Sequence, residues 1–86
     1  MTFGEAFEHI RDGTRAIRRE GWNGKNQHVY VEDMLSYTVQ DGVFKGHRRE
    51  YLPVLVLFNA QGHHQPGWVP SQGDLFATDW EDAPLR

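Results

Sequence analysis

The chain has no cysteine, which excludes a disulfide scaffold, a thiol nucleophile and any zinc or iron-sulfur centre built on thiolates. A reducing compartment is therefore the expectation. Proline is also scarce, at 4 residues, and no Pro/Ser tract or long polar run breaks the chain, so disorder is not expected. Basic charge is in short supply: 9 Lys and Arg against 12 Asp and Glu leave a net charge of -3. Binding to polymeric DNA or RNA through a general phosphate-attracting field needs the opposite balance. No apolar stretch approaches the about 18 to 20 residues of a membrane span. The first residues lack the basic-then-apolar order of a signal peptide. A soluble, intracellular protein with no membrane partner is expected.

What is present is enough for one small domain. Eighty-six residues, 38% hydrophobic and 24% charged, fall in the globular range, and residues 1–86 read as a single unit with no linker or repeat. A chain this short buries roughly two-thirds of the surface it exposes when unfolded, so its core is thin. Aromatics are plentiful: 3 Trp, 3 Tyr and 5 Phe, with every Trp outside the most apolar run. Some of these rings are expected to face a ligand or a partner subunit. Charge is unevenly spread, since residues 51–86 hold four acidic and one basic side chain while residues 1–50 hold eight of each.

Thr2 and Glu5 have capping-box spacing, and Phe3, Ala6, Phe7 and Ile10 recur at helical period until Gly13, so a short amphipathic N-terminal helix is expected. Thr14 to Glu20 suits either a helix or an arginine-bearing strand, the strand leading because glycines bracket it. Asn23-Gly24 marks a turn. Val29 and Val31 alternate with polar residues as a half-covered strand. Met34 to Val39 reads as a strand, Gln40-Asp41-Gly42-Val43 as a hairpin turn, and Lys45 to Glu50 as a solvated loop. Tyr51 to Phe58 reads as a strand covered on both sides, with Pro53 near its start. Asn59 to Gly62 turns the chain, and His63 to Pro66 extends the loop. Ser71 caps a helical turn favoured by Asp74, with Leu75, Phe76 and Trp80 as anchors and a solvated acidic tail after it. The fold class is α+β: a small, mostly antiparallel sheet with a short N-terminal helix and a short C-terminal helical turn.

Catalytic chemistry finds little support. Ser36 and Ser71 lack a Gly-x-Ser-x-Gly setting, and His63-His64 points in two directions on an extended chain with no spaced carboxylates to complete a metal site. Gly21-x-x-Gly24 is too short for a phosphate-cradling loop. Neither a cofactor nor a metal is expected. Trp22 beside Asn23-Gly24, and Trp68 beside Pro70-Ser71-Gln72, offer stacking platforms next to polar groups able to read a base or ribose. The same rings equally suit a core or an interface.

Phe3-Gly4-Glu5-Ala6, the Gly21 to Lys25 turn, Trp68-Val69-Pro70-Ser71-Gln72, Asp74-Leu75, Ala77 and Asp79-Trp80 occur in order across nearly the whole chain. Together they resemble the second type of the phage Thoeris anti-defence sponges. The resemblance implies a homotetramer or related oligomer in the bacterial cytoplasm, encoded by a phage or prophage. It also implies a non-enzymatic function, sequestering cyclic ADP-ribose-like signals, particularly the glyco-cyclic forms. A cyclic di- or trinucleotide at a separate site is a further implied ligand. Carried to this sequence, the resemblance assigns Trp22 and Trp68 to clasping the adenine, Phe3 to a third wall, and Asn23, Ser71, Gln72 and Asp74 to the polar surroundings. It leaves Asn26 to Glu50 as the variable part and Gly73 where relatives often have a larger residue. An anionic ligand on an acidic chain needs a local cation, for which Arg18, Arg19, Arg48 and Arg49 are the candidates over Lys25, because arginine offers a bidentate fork. The competing class is a protein-interaction module that uses exposed aromatics.

Overall fold

Thr2 and Glu5 form the capping box that their spacing predicts. The Glu5 N-H donates to Thr2 Oγ1 at 3.2 Å and the Thr2 N-H to Glu5 Oε1 at 2.9 Å. In the computed structural model, which describes residues 1–22 and 26–84, they start α1 (Phe3–Ile10), and Gly13 at φ 78° turns the chain after it. The ambiguous arginine-rich segment is a strand, β1 (Ala16–Arg19), and the valine alternation is β2 (His28–Glu32), with Val29 and Val31 buried. Further strands are β3 (Ser36–Thr38), β4 (Arg48–Glu50), β5 (Val54–Phe58) and β6 (His64–Pro66). The chain closes with α2 (Gln72–Phe76) and β7 (Trp80–Asp82). The fold is α+β, as expected.

Five strands form one antiparallel sheet in the order β6-β5-β2-β1-β7. Register places Ile17 beside Val29 and Val29 beside Leu57, so these side chains share one face. Helix α1 lies on that face, where Ala6, Ile10, Ile17, Val29, Val31 and Trp80 make the core. Burial of each large apolar side chain there stabilises by about 1.5 to 3 kcal/mol. That face is also where the helix's apolar stripe goes, since a helix this short does not persist alone.

Several expectations change. Strand β5 lies between β6 and β2, but only Val56 is buried and its neighbours are half-buried. Val56 pairs with Tyr30 on the face away from α1, while Leu55 and Leu57, on the helix side, are only partly covered because α1 packs on β1 and β7. His64 to Pro66 is an edge strand on β5 and not a loop; polar edge strands carry no apolar alternation to announce them, and Pro66 fits an edge. Arg48 to Glu50, read as part of a loop, pairs with β3 in a separate two-stranded sheet. That hairpin closes beyond the Asp41-Gly42 step, where the Gly46 N-H bonds the Val39 carbonyl at 2.8 Å and the Val39 N-H bonds that of His47 at 2.9 Å. Both faces of this arm are solvated, so β4 shows no hydrophobic period. Leu75 and Phe76 do not anchor α2: Phe76 is 81% exposed, whereas Trp80 is 2% exposed. Lastly, the acidic tail is not free in solvent. It forms β7 against β1, pairing Glu81 with Arg18 and Trp80 with Arg19.

Candidate functional site

Trp80 is the keystone of an aromatic cluster. Its ring lies 5.4 Å from Trp22, 6.4 Å from Trp68 and 5.3 Å from Phe3, each edge to face. Phe3 in turn stacks on Phe7 at 6.0 Å. The buried indole N-H of Trp80 is satisfied by the Asp74 carbonyl at 2.8 Å, as burial of a polar edge requires. Trp22 and Trp68 touch each other at 6.3 Å with their planes at 79°. A sandwiched base needs two parallel rings with a gap between them, so this pair forms a corner and not a clasp. Only an outer face of the corner is left open to a flat ring.

Such a face is present. An open cavity of about 580 Å³ is lined by Phe7, Arg11, Val31, Leu55, Trp68 and Val69 among others, a volume that suits a small-molecule ligand. Its far wall depends on Gly67, whose φ of 86° belongs to the left-handed region. There the N-H groups of Gly67 and Trp68 both reach the Leu55 carbonyl, at 2.8 and 3.1 Å, which lays the Trp68 ring over the sheet. Phe7 and Arg11 come from successive turns of α1 and its cap. The Arg11 guanidinium sits 5.8 Å from the Phe7 ring and bonds Glu8 at 3.0 Å. The cavity is thus apolar and aromatic, with an exposed cation at its mouth.

The four arginines proposed from sequence lie elsewhere, each with a partner in the chain. Arg19 donates from Nε to Asp79 at 2.9 Å and from Nη1 to Asp74 at 3.1 Å. These bonds raise the Arg19 pKa, and the bond to Arg19 is also the main cause that holds the Asp79 carboxyl below the usual range. Arg18 donates to Glu81 at 3.0 Å. Arg48 bonds Glu50 and Ser36, and Arg49 lies over the Phe44 ring at 4.8 Å, both on the hairpin arm. None of the four lines the cavity beside Trp68.

Comparison with known proteins bears on what this arrangement serves. A family model described as the Thoeris anti-defense 2-like domain matches residues 1–83. A curated relative, Thoeris anti-defense 2 of Bacillus phage SP01, is 34% identical over 86 residues, covering 94% of this chain and 92% of the relative. The chain belongs to the Thoeris anti-defense 2-like family. That membership supports a phage anti-defence role.

Within this Thoeris anti-defense 2-like domain, the tertiary structure sorts the residues selected from sequence. Trp22, Trp68 and Phe3 come together around Trp80. Ser71 and Asp74 are a capping box: the Asp74 N-H donates to Ser71 Oγ at 3.1 Å and the Ser71 N-H to Asp74 Oδ2 at 2.9 Å. Their polar atoms therefore serve α2 and Arg19, while Gln72 is exposed on the first turn. Asn23, with the rest of the Asn23 to Lys25 turn, lies outside the described residues. Sequence reasoning missed Phe7 and Arg11 as a site pair, although their i, i+4 spacing places them on one helix face. Trp80 was read only as an anchor. Among the described residues no group of three or more His, Asp or Glu is placed to hold a metal ion, and no helix is long and apolar enough to cross a membrane.

Proposed function

We propose that the protein is a non-enzymatic sponge that sequesters a glyco-cyclic ADP-ribose-type signal and thereby blocks bacterial anti-phage defence. The observation that carries the reading is the cavity of about 580 Å³ with Trp68 as wall and Arg11 at its mouth. Adenine stacks on the indole face, which every nucleobase can do because each has a π-face. The pyrophosphate takes the charged end, where a guanidinium makes charge-assisted hydrogen bonds. Sequestration needs affinity and slow release, not turnover, so the reading assigns no nucleophile or general base. The working form in this reading is a homotetramer in the host cytoplasm, with neighbouring subunits covering the open face of the sheet and the exposed Met34, Val43 and Leu52 of the hairpin arm.

The test is mass spectrometry of small molecules released by heat from protein purified out of signal-producing cells. Intact ligand in stoichiometric amount supports the sponge, a hydrolysed product argues for an enzyme, and no nucleotide at all removes the reading. The same spectrum tests for a cyclic di- or trinucleotide. A second reading, a protein-interaction module, is favoured by one observation: Met34, Val43, Leu52 and Phe76 are more than 80% exposed, and large exposed apolar side chains in number mark interaction surfaces. Capture of a defence protein by nucleotide-free sponge supports that alternative.

A further inference from the structure

The Arg19 side chain bonds two carboxylates, Asp79 and Asp74, whose other hydrogen bonds reach the segments next to the three tryptophans. Its Nε bonds Asp79, the residue before Trp80, at 2.9 Å. Its Nη1 bonds Asp74 at 3.1 Å, and the carbonyl of that same Asp74 receives the Trp80 indole N-H at 2.8 Å. The Arg19 carbonyl accepts from the Trp22 N-H at 3.1 Å. The second Asp79 oxygen accepts from the Gly21 N-H at 3.3 Å, and the second Asp74 oxygen from the Ser71 N-H at 2.9 Å. Gly21 precedes Trp22, and Ser71 follows Trp68 by three residues. The group is also partly shielded, with side-chain exposures of 28% for Arg19, 14% for Asp74 and 32% for Asp79.

From this geometry we infer that Arg19 is a positioning residue, a two-armed clip that sets the angle and spacing of Trp22, Trp68 and Trp80 and so shapes the aromatic wall of the ligand site. The inference rests on the sponge reading for its link to binding, but the wall's geometry is readable without ligand. A guanidinium suits the task because its planar fork serves two carboxylates at fixed angles, whereas an ammonium is a point charge with no such fork. The clip spans three separate stretches of chain: the end of β1, the start of α2 and the start of β7. Without it β1 and β7 remain joined by the backbone ladder and α2 by its packing on α1, but the side chains above them lose their common reference.

The decisive experiment exploits charge. Arg19→Gln removes a positive group, and Asp79→Asn removes a negative one and frees the Nε arm of the guanidinium, Nη1 staying on Asp74. A positioning role predicts that both variants weaken binding of glyco-cyclic ADP-ribose, by about tenfold or more on the scale of supporting-residue losses. It also predicts that neither changes the salt dependence of affinity, and that both alter the near-ultraviolet circular dichroism of the indole cluster in the absence of ligand. Arg19→Lys should restore thermal stability more than it restores affinity. If Asp79→Asn binds more tightly and Arg19→Gln loses salt dependence, Arg19 is a phosphate contact and the inference is overturned. Wild-type affinity in Arg19→Gln, or an unchanged indole spectrum in all three variants, overturns it as well. Should Arg19→Gln fail to fold, Asp74→Asn removes one arm alone and is read by the same two measurements. Failure of the sponge reading is seen separately, as wild-type protein that does not bind the probe; the indole spectra then decide the clip.

Discussion

The Trp22 ring meets the Trp68 ring edge to face, 6.3 Å between centroids and 79° between planes. Their contact closes the space that a base would occupy between them and leaves the outer Trp68 face as the platform on the cavity. In the proposed sponge the two tryptophans therefore have different work, Trp22 supporting and Trp68 contacting the ligand.

Trp68→Ala should weaken signal binding by roughly 1 to 3 kcal/mol, the scale of base stacking on a protein ring, with the fold retained. Trp22→Ala should lower affinity less, through loss of support for Trp68. The stability control is Ile17→Ala, since Ile17 is fully buried and a core truncation of this kind costs about 2 to 5 kcal/mol. Leu55 is unsuitable as that control because it is half-exposed and lines the cavity. Calorimetry and thermal unfolding on the same three variants check the separation; equal affinities in Trp68→Ala and wild type would remove Trp68 from the site.

Arg11→Gln should reduce affinity by about 1 kcal/mol or less at physiological salt, because its guanidinium is exposed and screened. It should also flatten the salt dependence. Arg18→Gln, Arg48→Gln and Arg49→Gln should leave that dependence at its wild-type slope, since their side chains face partners away from the cavity. A salt titration in which Arg11→Gln keeps the wild-type slope rejects Arg11 as the ligand cation.

Acid stability follows from the depressed carboxyls. Asp79 is held low by Arg19 first and by the Gly21 N-H in addition, and Glu5 and Asp12 are held low by bonds from Thr2 and Thr14. A carboxyl whose pKa is lower in the folded state contributes fully above its unfolded value, about 3.9 for Asp and 4.3 for Glu. That contribution disappears as pH falls through the folded value. The melting temperature should therefore lose nothing to these groups between pH 7 and about pH 5, then fall below about pH 4. Asp79→Asn should start lower at pH 7 and show a shallower acid decline.

Two glycines should respond oppositely to alanine. At Gly73, in α2, an added Cβ meets only Ser71 Oγ, at 3.6 Å. Gly73→Ala should stabilise by about 0.5 to 1 kcal/mol through reduced unfolded-state freedom and better helix propensity. Gly67 sits at φ 86°, where a Cβ is strained, so Gly67→Ala should destabilise by roughly 1 to 2 kcal/mol and displace Trp68. Thermal melts give the two signs, and cavity binding should fall only for Gly67→Ala.

Light scattering should give a mass near four times the 10.0 kDa chain. The arm places Met34 and Leu52 at 86% and 85% exposure, and a lysine at either position should lower the oligomer's stability on dilution. A 10 kDa species at micromolar concentration would end the tetramer proposal.

Local chemistry was legible in the sequence wherever the deciding partners lie within a few residues. Thr2 with Glu5 and Ser71 with Asp74 announce two helix starts. Val29 and Val31 announce a covered strand because one sheet face is dry and the other is not. Polar strands β4 and β6 were illegible, since neither has a buried face to impose alternation. The motif tryptophans were identifiable as a group, but not their mutual angle.

Charge pairing lay beyond the sequence for a different reason. Arg19 and its two carboxylates are 55 and 60 residues apart, and nothing near Arg19 in the chain distinguishes it from Arg18 or Arg15. Only the antiparallel register of β1 with β7, and the packing of α2 beside them, brings these groups to hydrogen-bond distance. Residue types and local spacing determined that the chain makes an aromatic-rich α+β domain with capped helices. Which arginine meets Asp74 and Asp79 was decided by strand order, and which one lines the cavity by the docking of α1 on the sheet, because a side chain's tertiary partners are set by chain segments that carry no local trace of one another.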